Sequence, residues 1–209
     1  MSVRALLWTI AAMMVAAPAR ADASASACRL PGARVLARDA GSRLFVRAQL
    51  SGAQSLYGCV RGRPPRRLTG SVGGVRPYTG AGPVLAGRWA LFKAGDGWGE
   101  WLVRADLRSG RRRNVARLHA RITALTSEAY VLRRTGSLAY VLFSSGASFE
   151  TGTRFVVIAE RGRRARTADR ADWRVFEEPD PIPDASLALV AGGLVAWTHR
   201  GEPRTARLR

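Results

Sequence analysis

The chain has 209 residues, a formal net charge of +19 and 47% apolar residues. That apolar content excludes a disordered chain, and the length suits one domain of ordinary size. Lys93 is the only lysine, so arginine carries the positive charge; it stays ionised at any working pH and grips carboxylates and phosphates through two parallel bonds.

In chain order, residues 1–21 read as a secretory signal. Arg4 supplies the positive start, residues 6–17 a short apolar core, and Ala19-Arg-Ala21 a small-x-small cleavage site. The apolar core is shorter than the roughly 18–20 residues of a membrane span, and no other stretch approaches that length. The expectation is a single exported domain over residues 22–209 with no transmembrane span, placed in the cell envelope or secreted. Loss of Arg4 and Arg20 lowers the formal charge from +19 to +17, which still attracts polyanions at long range.

Cys28 and Cys59 come next. Two cysteines in an exported chain read first as one disulfide, tying the mature N-terminus to the first repeat unit. Ala25-Ser-Ala-Cys28 loosely resembles a lipobox, the rival reading, but it lacks the large aliphatic residue three positions before the cysteine. A zinc site is disfavoured, because two cysteines and the distant His119 and His199 have no ligand spacing.

From residue 34 onwards the chain repeats. A glycine followed by an apolar strand recurs as Gly41-Ser-Arg-Leu-Phe-Val46, Gly87-Arg-Trp-Ala-Leu-Phe92, Gly136-Ser-Leu-Ala-Tyr-Val141 and Gly193-Leu-Val-Ala-Trp-Thr198, at steps of 46, 49 and 57 residues. Before each glycine lies a short strand, and after each apolar strand comes a further strand, a glycine turn and a basic strand. The basic segments start at Arg61, Arg108 and Arg161, and the last copy is shortened to Trp197–Leu208. The segments are short, rich in β-branched and aromatic residues, and punctuated by glycine, which argues strands and against helices. The result is an all-β chain of about four antiparallel four-stranded meanders, the last lacking a strand. At roughly 45 residues each they are the size of propeller blades. A β-sandwich of hairpins is the alternative packing. Residues 69–82 and 144–152 read as loops, and residues 169–184 as the longest connection, with one helical turn expected over residues 170–176.

Trp101-Leu-Val-Arg-Ala-Asp-Leu-Arg-Ser-Gly-Arg-Arg-Arg113 resembles the strand-Asp-Leu-x-x-Gly-basic-strand unit of TolB-like and WD40-like bacterial propellers. The chain as a whole resembles small exported propeller-like proteins. The resemblance implies a binding scaffold and brings no catalytic residues with it, and fold alone does not set function.

The chemistry-bearing residues are few. Asp96 and Glu100 flank a glycine-rich loop, but their spacing does not match a calcium loop. Glu177, Glu178, Asp180 and Asp184 form the only acidic cluster, and pairing with nearby arginines is favoured over metal binding. His119 and His199 have no recognisable nucleophile motif beside them. No glycine stretch opens a helix after a strand, so no dinucleotide site is expected. No cofactor or metal is assigned. Phe45, Trp89, Tyr140 and Trp197 are expected in the core. The basic turns and strands carry the candidate polyanion-binding residues: Arg61, Arg63, Arg66 and Arg67, then Arg108, Arg111, Arg112 and Arg113, then Arg161, Arg163, Arg164 and Arg166. On outer strands these make a basic rim, and they also guard an edge against aggregation. The functional expectation is a non-enzymatic exported scaffold binding a macromolecular partner. An anionic envelope polymer or lipid surface is the second reading and an uncharacterised hydrolase the third. Sequence-specific nucleic-acid binding is not expected, and the oligomeric state is not set.

Overall fold

The computed structural model describes residues 28–50, 54–69, 82–95, 100–120, 123–126, 129–145 and 150–209. The expected signal at residues 1–21, most of the 69–82 loop and Asp96 lie outside them, as does the His119 side chain.

Within the described residues, fifteen of the sixteen strands form four consecutive meanders. Blade one comprises β1 (Arg34–Asp39), β2 (Ser42–Ala48), β3 (Gln54–Val60) and β4 (Arg66–Arg67), paired in that order. Blade two is β5 (Val84–Ala86), β6 (Trp89–Gly95), β7 (Glu100–Asp106) and β8 (Arg112–Ala120). The next strand was not foreseen: β9 (Thr123–Thr126) pairs with both β8 and the second strand of blade three, fusing blades two and three into one sheet. Blade three is β10 (Tyr130–Leu132), β11 (Leu138–Ser145), β12 (Thr151–Ala159) and β13 (Arg166–Arg174). Blade four holds three strands, β14 (Ala188–Val190), β15 (Leu194–His199) and β16 (Glu202–Arg207). All pairings are antiparallel, and within each blade they are sequential, as the repeat predicts.

The second strand of each blade explains the packing. Successive side chains of a strand point to opposite faces, and these strands are apolar on both. In β6, Trp89 and Leu91 join a cluster with Tyr130, Leu138 and Tyr140 of blade three. The intervening Ala90 and Phe92 join Leu44, Leu56 and Leu68 of blade one. In β11, Leu138 and Tyr140 face blade two while Ala139 and Val141 meet Val195 and Trp197 of blade four. Phe45, Trp89, Tyr140 and Trp197 are all buried, as expected of core residues. Burial pushes the Tyr140 phenol up to about 12, so it stays neutral.

The Asp-Leu-x-x-Gly unit of blade two has a physical account. The Asp106 carboxylate accepts from the Arg108 N–H at 3.0 Å, Leu107 is fully buried against blade one, and Gly110 donates its N–H to the Asp106 carbonyl at 2.7 Å. Gly110 sits at φ +75°, a left-handed conformation that favours glycine.

Among the described residues no blade precedes blade one, and its outer face is covered by the chain before β1. Cys28 is bonded to Cys59 of β3 with a Cα–Cα separation of 5.7 Å. The pair packs with Phe45, and Leu30, Ala33, Val35 and Tyr57 surround it. With its sulfur in this bond, Cys28 has no thiol for a lipid, so the lipoprotein reading is set aside.

One expectation is corrected. Residues 170–174 are not a helical turn; they continue β13, pairing Arg170 with Phe155 and Trp173 with Gly152. A nine-residue β12 offers a full row of backbone partners, whereas a single helical turn leaves most of its own groups unpaired. Likewise β11 and β12 run into the stretch read as a loop, as far as the Ser145–Gly152 pair.

The disulfide closes 31 residues of chain, worth about 3–4 kcal/mol by restricting the unfolded state. Denaturant unfolding of Cys59→Ser should show a loss near that size, and the reduced wild type should match it.

Candidate functional site

Meander topology sorts the connections onto two ends of the blades. First-to-second-strand turns and third-to-fourth-strand turns share one end, and backbone bonds tie them together: the Arg61 N–H donates to Gly41 O at 2.6 Å and the Leu107 N–H to Arg88 O at 2.8 Å. This turn face also ties blade one to blade two, because Asp39 accepts from the Gly87 N–H at 2.5 Å. Those bonds from Gly87 and Ala40, helped by Arg134, hold the Asp39 carboxyl below the usual carboxylate range.

The four first strands converge here. Arg38 and Asp39 of β1, Leu85 and Ala86 of β5, Leu132 of β10 and Leu189 of β14 line one opening of about 520 Å³. Beside it, Arg88, Trp89, Arg134, Thr135, Ser137, Glu160, Arg161, Arg163 and Arg209 line a second cavity of about 580 Å³.

The sequence-predicted arginines divide between this face and the outer strands. Arg61, Arg63, Arg108, Arg111, Arg161, Arg163 and Arg164 lie in or next to the third-to-fourth-strand turns, while Arg66, Arg67, Arg112, Arg113 and Arg166 lie on β4, β8 and β13. All twelve are exposed. Several also have structural partners. Arg66 donates to Ser109 O at 3.0 Å and Arg112 to Leu68 O at 2.6 Å, joining blade one to blade two. Arg67 donates to the Ser55 hydroxyl at 3.1 Å, and Arg163 pairs with Glu160 at 3.3 Å.

Sequence reasoning missed two of the three arginines gathered around Trp89. Arg88, Arg104 and Arg161 place their guanidinium carbons 5.1, 5.6 and 6.0 Å from the Trp89 ring centroid, and the repeat pattern marks only Arg161 of the three. Arg104, in the middle of β7, is 6% exposed and donates to Gly136 O at 2.7 Å. Burial, then the neighbouring charges of Arg113 and Arg161, lower its affinity for its proton. Gly136 makes this packing possible: it sits at φ +88°, and a Cβ there would lie 2.6 Å from the indole. The available sequence signal was the charged residue inside an apolar strand, Leu102-Val-Arg-Ala105.

The opposite end of the blades holds the acidic cluster. Arg154 of β12 is 8% exposed and pairs with Asp180 at 2.6 Å and Asp184 at 3.3 Å. Its guanidinium also stacks near Phe143 and Trp173, at 5.2 and 5.4 Å from their centroids. Glu177 pairs with Arg174 at 3.0 Å and Glu178 approaches Arg200 at 3.9 Å. The acidic cluster is thus engaged with arginines, as favoured from the sequence, and it pins the connection between blades three and four. His199 Nδ1 lies 2.9 Å from Asp169, which also accepts from Trp197 Nε1 at 2.7 Å. Burial opposes ionisation of Asp169, but the bonds from Trp197 and His199 outweigh it and hold the carboxyl below its usual range. Among the described residues no three potential metal ligands gather, and no helix is long and apolar enough to cross a membrane.

No family model matches the chain, and no curated protein matches it. Among solved structures it is similar to an acylaminoacyl peptidase, at 11% identity and a TM-score of 0.43, over 83% of this chain and 32% of that one. It is similar to TolB from Acinetobacter baumannii at 13% identity and a TM-score of 0.30, over 83% of this chain and 54% of TolB. It is also similar to the β-propeller domain of the Trilobed protease from Pyrococcus furiosus, at 9% identity and a TM-score of 0.32, over 86% and 66%. The chain therefore spans from about a third to two thirds of the length of these proteins. Its propeller-like order is read from its own strand pairings.

The ion pairs yield two expected outcomes. Arg154→Met leaves two carboxylates without their partner and should cost about 3 kcal/mol in denaturant unfolding. Asp39 and Asp169 have folded-state pKa values below the ordinary carboxylate value of about 3.9. Their stabilisation is therefore complete above that pH and is lost as pH falls through the lowered values. Thermal melts from neutral to acid pH should fall less steeply for Asp169→Asn than for wild type.

Proposed function

We propose that the protein is an exported, non-enzymatic β-repeat scaffold that binds a macromolecular partner in the cell envelope or outside the cell. Three kinds of support converge. The first twenty-one residues carry the pattern of a secretory signal. The Cys28–Cys59 bond suits an oxidising compartment. Four consecutive meanders bring their first strands to one opening.

The observation that carries the reading is the turn face. Seven exposed arginines, Arg61, Arg63, Arg108, Arg111, Arg161, Arg163 and Arg164, come from equivalent turns of three successive blades. Repeats place such residues at regular spacing, which suits a partner that itself repeats. This favours the second reading as the form of the first: the partner is an anionic polymer or lipid surface of the envelope. Long-range attraction gathers such a partner, and guanidinium pairs hold its anionic groups.

Immobilised protein should capture an anionic component from envelope extract at about 50 mM salt and release it near 1 M, where the Debye length falls to about 3 Å. A variant carrying Gln at Arg61, Arg63, Arg108 and Arg111 should capture much less. No retained component at low salt, or retention indifferent to salt, overturns the proposal.

A further inference from the structure

The cavity beside Trp89 holds more positive charge than its acids offset. Three carboxylates reach its arginines. Asp106 lies 3.6 Å from Arg88, Asp39 lies 3.0 Å from Arg134, and Glu160 lies 3.3 Å from Arg163. Arg161 and Arg209 of its lining, and Arg104 beside the Trp89 ring, have no such ion pair among the described residues. Arg104 matters most, because it is 6% exposed and its guanidinium donates to a neutral carbonyl. A buried cation without a counter-charge is costly, and the indole face beside it offsets only about 1–2 kcal/mol.

We infer that the cavity is a binding site for a dianionic phosphoryl group, a phosphomonoester carried on a larger molecule. Arg161 and Arg209 line the cavity without an ion pair among the described residues, and Arg104 adds its charge from beside the Trp89 ring, which suits a doubly charged anion better than the single charge of a carboxylate. The planar guanidinium donates two parallel N–H bonds to a pair of phosphate oxygens. The space fits as well: about 580 Å³ is far more than a phosphate needs and leaves room for what the phosphate is attached to. A hydroxyl donor is at hand. Thr135 lines the cavity, and in its bond with the Ser137 N–H at 3.4 Å the Thr135 oxygen is the acceptor, which keeps its proton for a ligand. The site goes beyond the scaffold reading, since it binds one group in a cavity and does not need a repeating partner.

The test titrates the full mature protein with phenyl phosphate by calorimetry, with benzoate as the monoanionic comparison. Wild type should bind phenyl phosphate at least about tenfold more tightly than benzoate. Arg161→Gln, at an exposed position that leaves the core intact, should weaken phenyl phosphate by about tenfold, the equivalent of one charge-assisted bond. Arg104→Gln should weaken it further, provided its thermal melt shows a folded protein. Arg47→Gln, which removes an exposed charge at the other end of the blades, should leave the affinity as it is. Sedimentation with phosphatidylcholine vesicles, with and without phosphatidic acid, separates the sources. Retention that needs phosphatidic acid and Arg161 assigns a lipid headgroup, and phenyl phosphate binding without vesicle retention assigns a soluble phosphoryl group. Either supports the site. No phenyl phosphate binding by wild type, equal affinity for benzoate, or an unchanged Arg161→Gln overturns it. Failed capture from envelope extract alongside intact phenyl phosphate binding would overturn the scaffold reading alone.

Discussion

The fold depends on side chains that alternate along the second strand of each blade and are apolar in both directions. A meander with one oily face would need a single partner. These blades are oily on two faces and must be sandwiched. Trp89 and Leu91 commit β6 to blade three, while Ala90 and Phe92 commit it to blade one. The two sets differ in size, and the small residues let neighbouring sheets approach. Leaving one such face wet would expose several hundred square ångströms of apolar surface at roughly 25 cal/mol per Å², so a single blade has little prospect of standing alone. The array then has an end problem, and the disulfide-bonded segment before β1 answers it by laying Leu30 and Ala33 against the outer side of blade one.

Electrostatics obeys a different logic from packing. With Lys+Arg at 34 against Asp+Glu at 15, carboxylates are the scarce partner, and several of the described ones are placed where they join blades. Asp39 links blade one to the Gly87 turn of blade two, Asp169 links blade three to Trp197 and His199 of blade four, and Asp180 with Asp184 fastens the connection between those blades through Arg154. Asp39 also reaches one turn arginine, Arg134 at 3.0 Å, but acids held at such joints offset little of the charge on the turns. A strongly basic surface is the consequence, whatever reason the chain has for being rich in arginine.

Much of this was legible in the sequence because it depends on period and punctuation. The glycine-strand anchors at Gly41, Gly87, Gly136 and Gly193 located the second strand of every blade, and the shortened last copy foretold a three-stranded blade four. The cysteine pair was readable from its count alone. What escaped depended on partners distant in the chain. β9 pairs with β11 across an intervening strand, and nothing in Thr123-Ala-Leu-Thr126 announces it. Residues 170–176 read as a helical turn, but the edge of β12 holds residues 170–174 as strand. Arg104 was passed over for the same reason. Within Leu102-Val-Arg-Ala105 it looks like one more surface charge, and only the Trp89 ring and the Gly136 carbonyl, supplied by β6 and the turn after β10, make it a buried one.

That last case separates two kinds of arginine in a chain full of them. An exposed arginine on a turn keeps its hydration, so its presence needs no ligand; edge protection and solubility suffice. A buried arginine has given up water and must be held by something. At Arg154 the answer is on the same chain, two carboxylates and two aromatic rings. At Arg104 the chain supplies one carbonyl and one indole, while Arg113 and Arg161 push in the unfavourable direction. Both side chains are buried to nearly the same degree, yet only one has a counter-charge among the described residues. The asymmetry is the physical ground for looking to a bound anion at the Trp89 cavity first, ahead of the larger and more conspicuous basic surface around it.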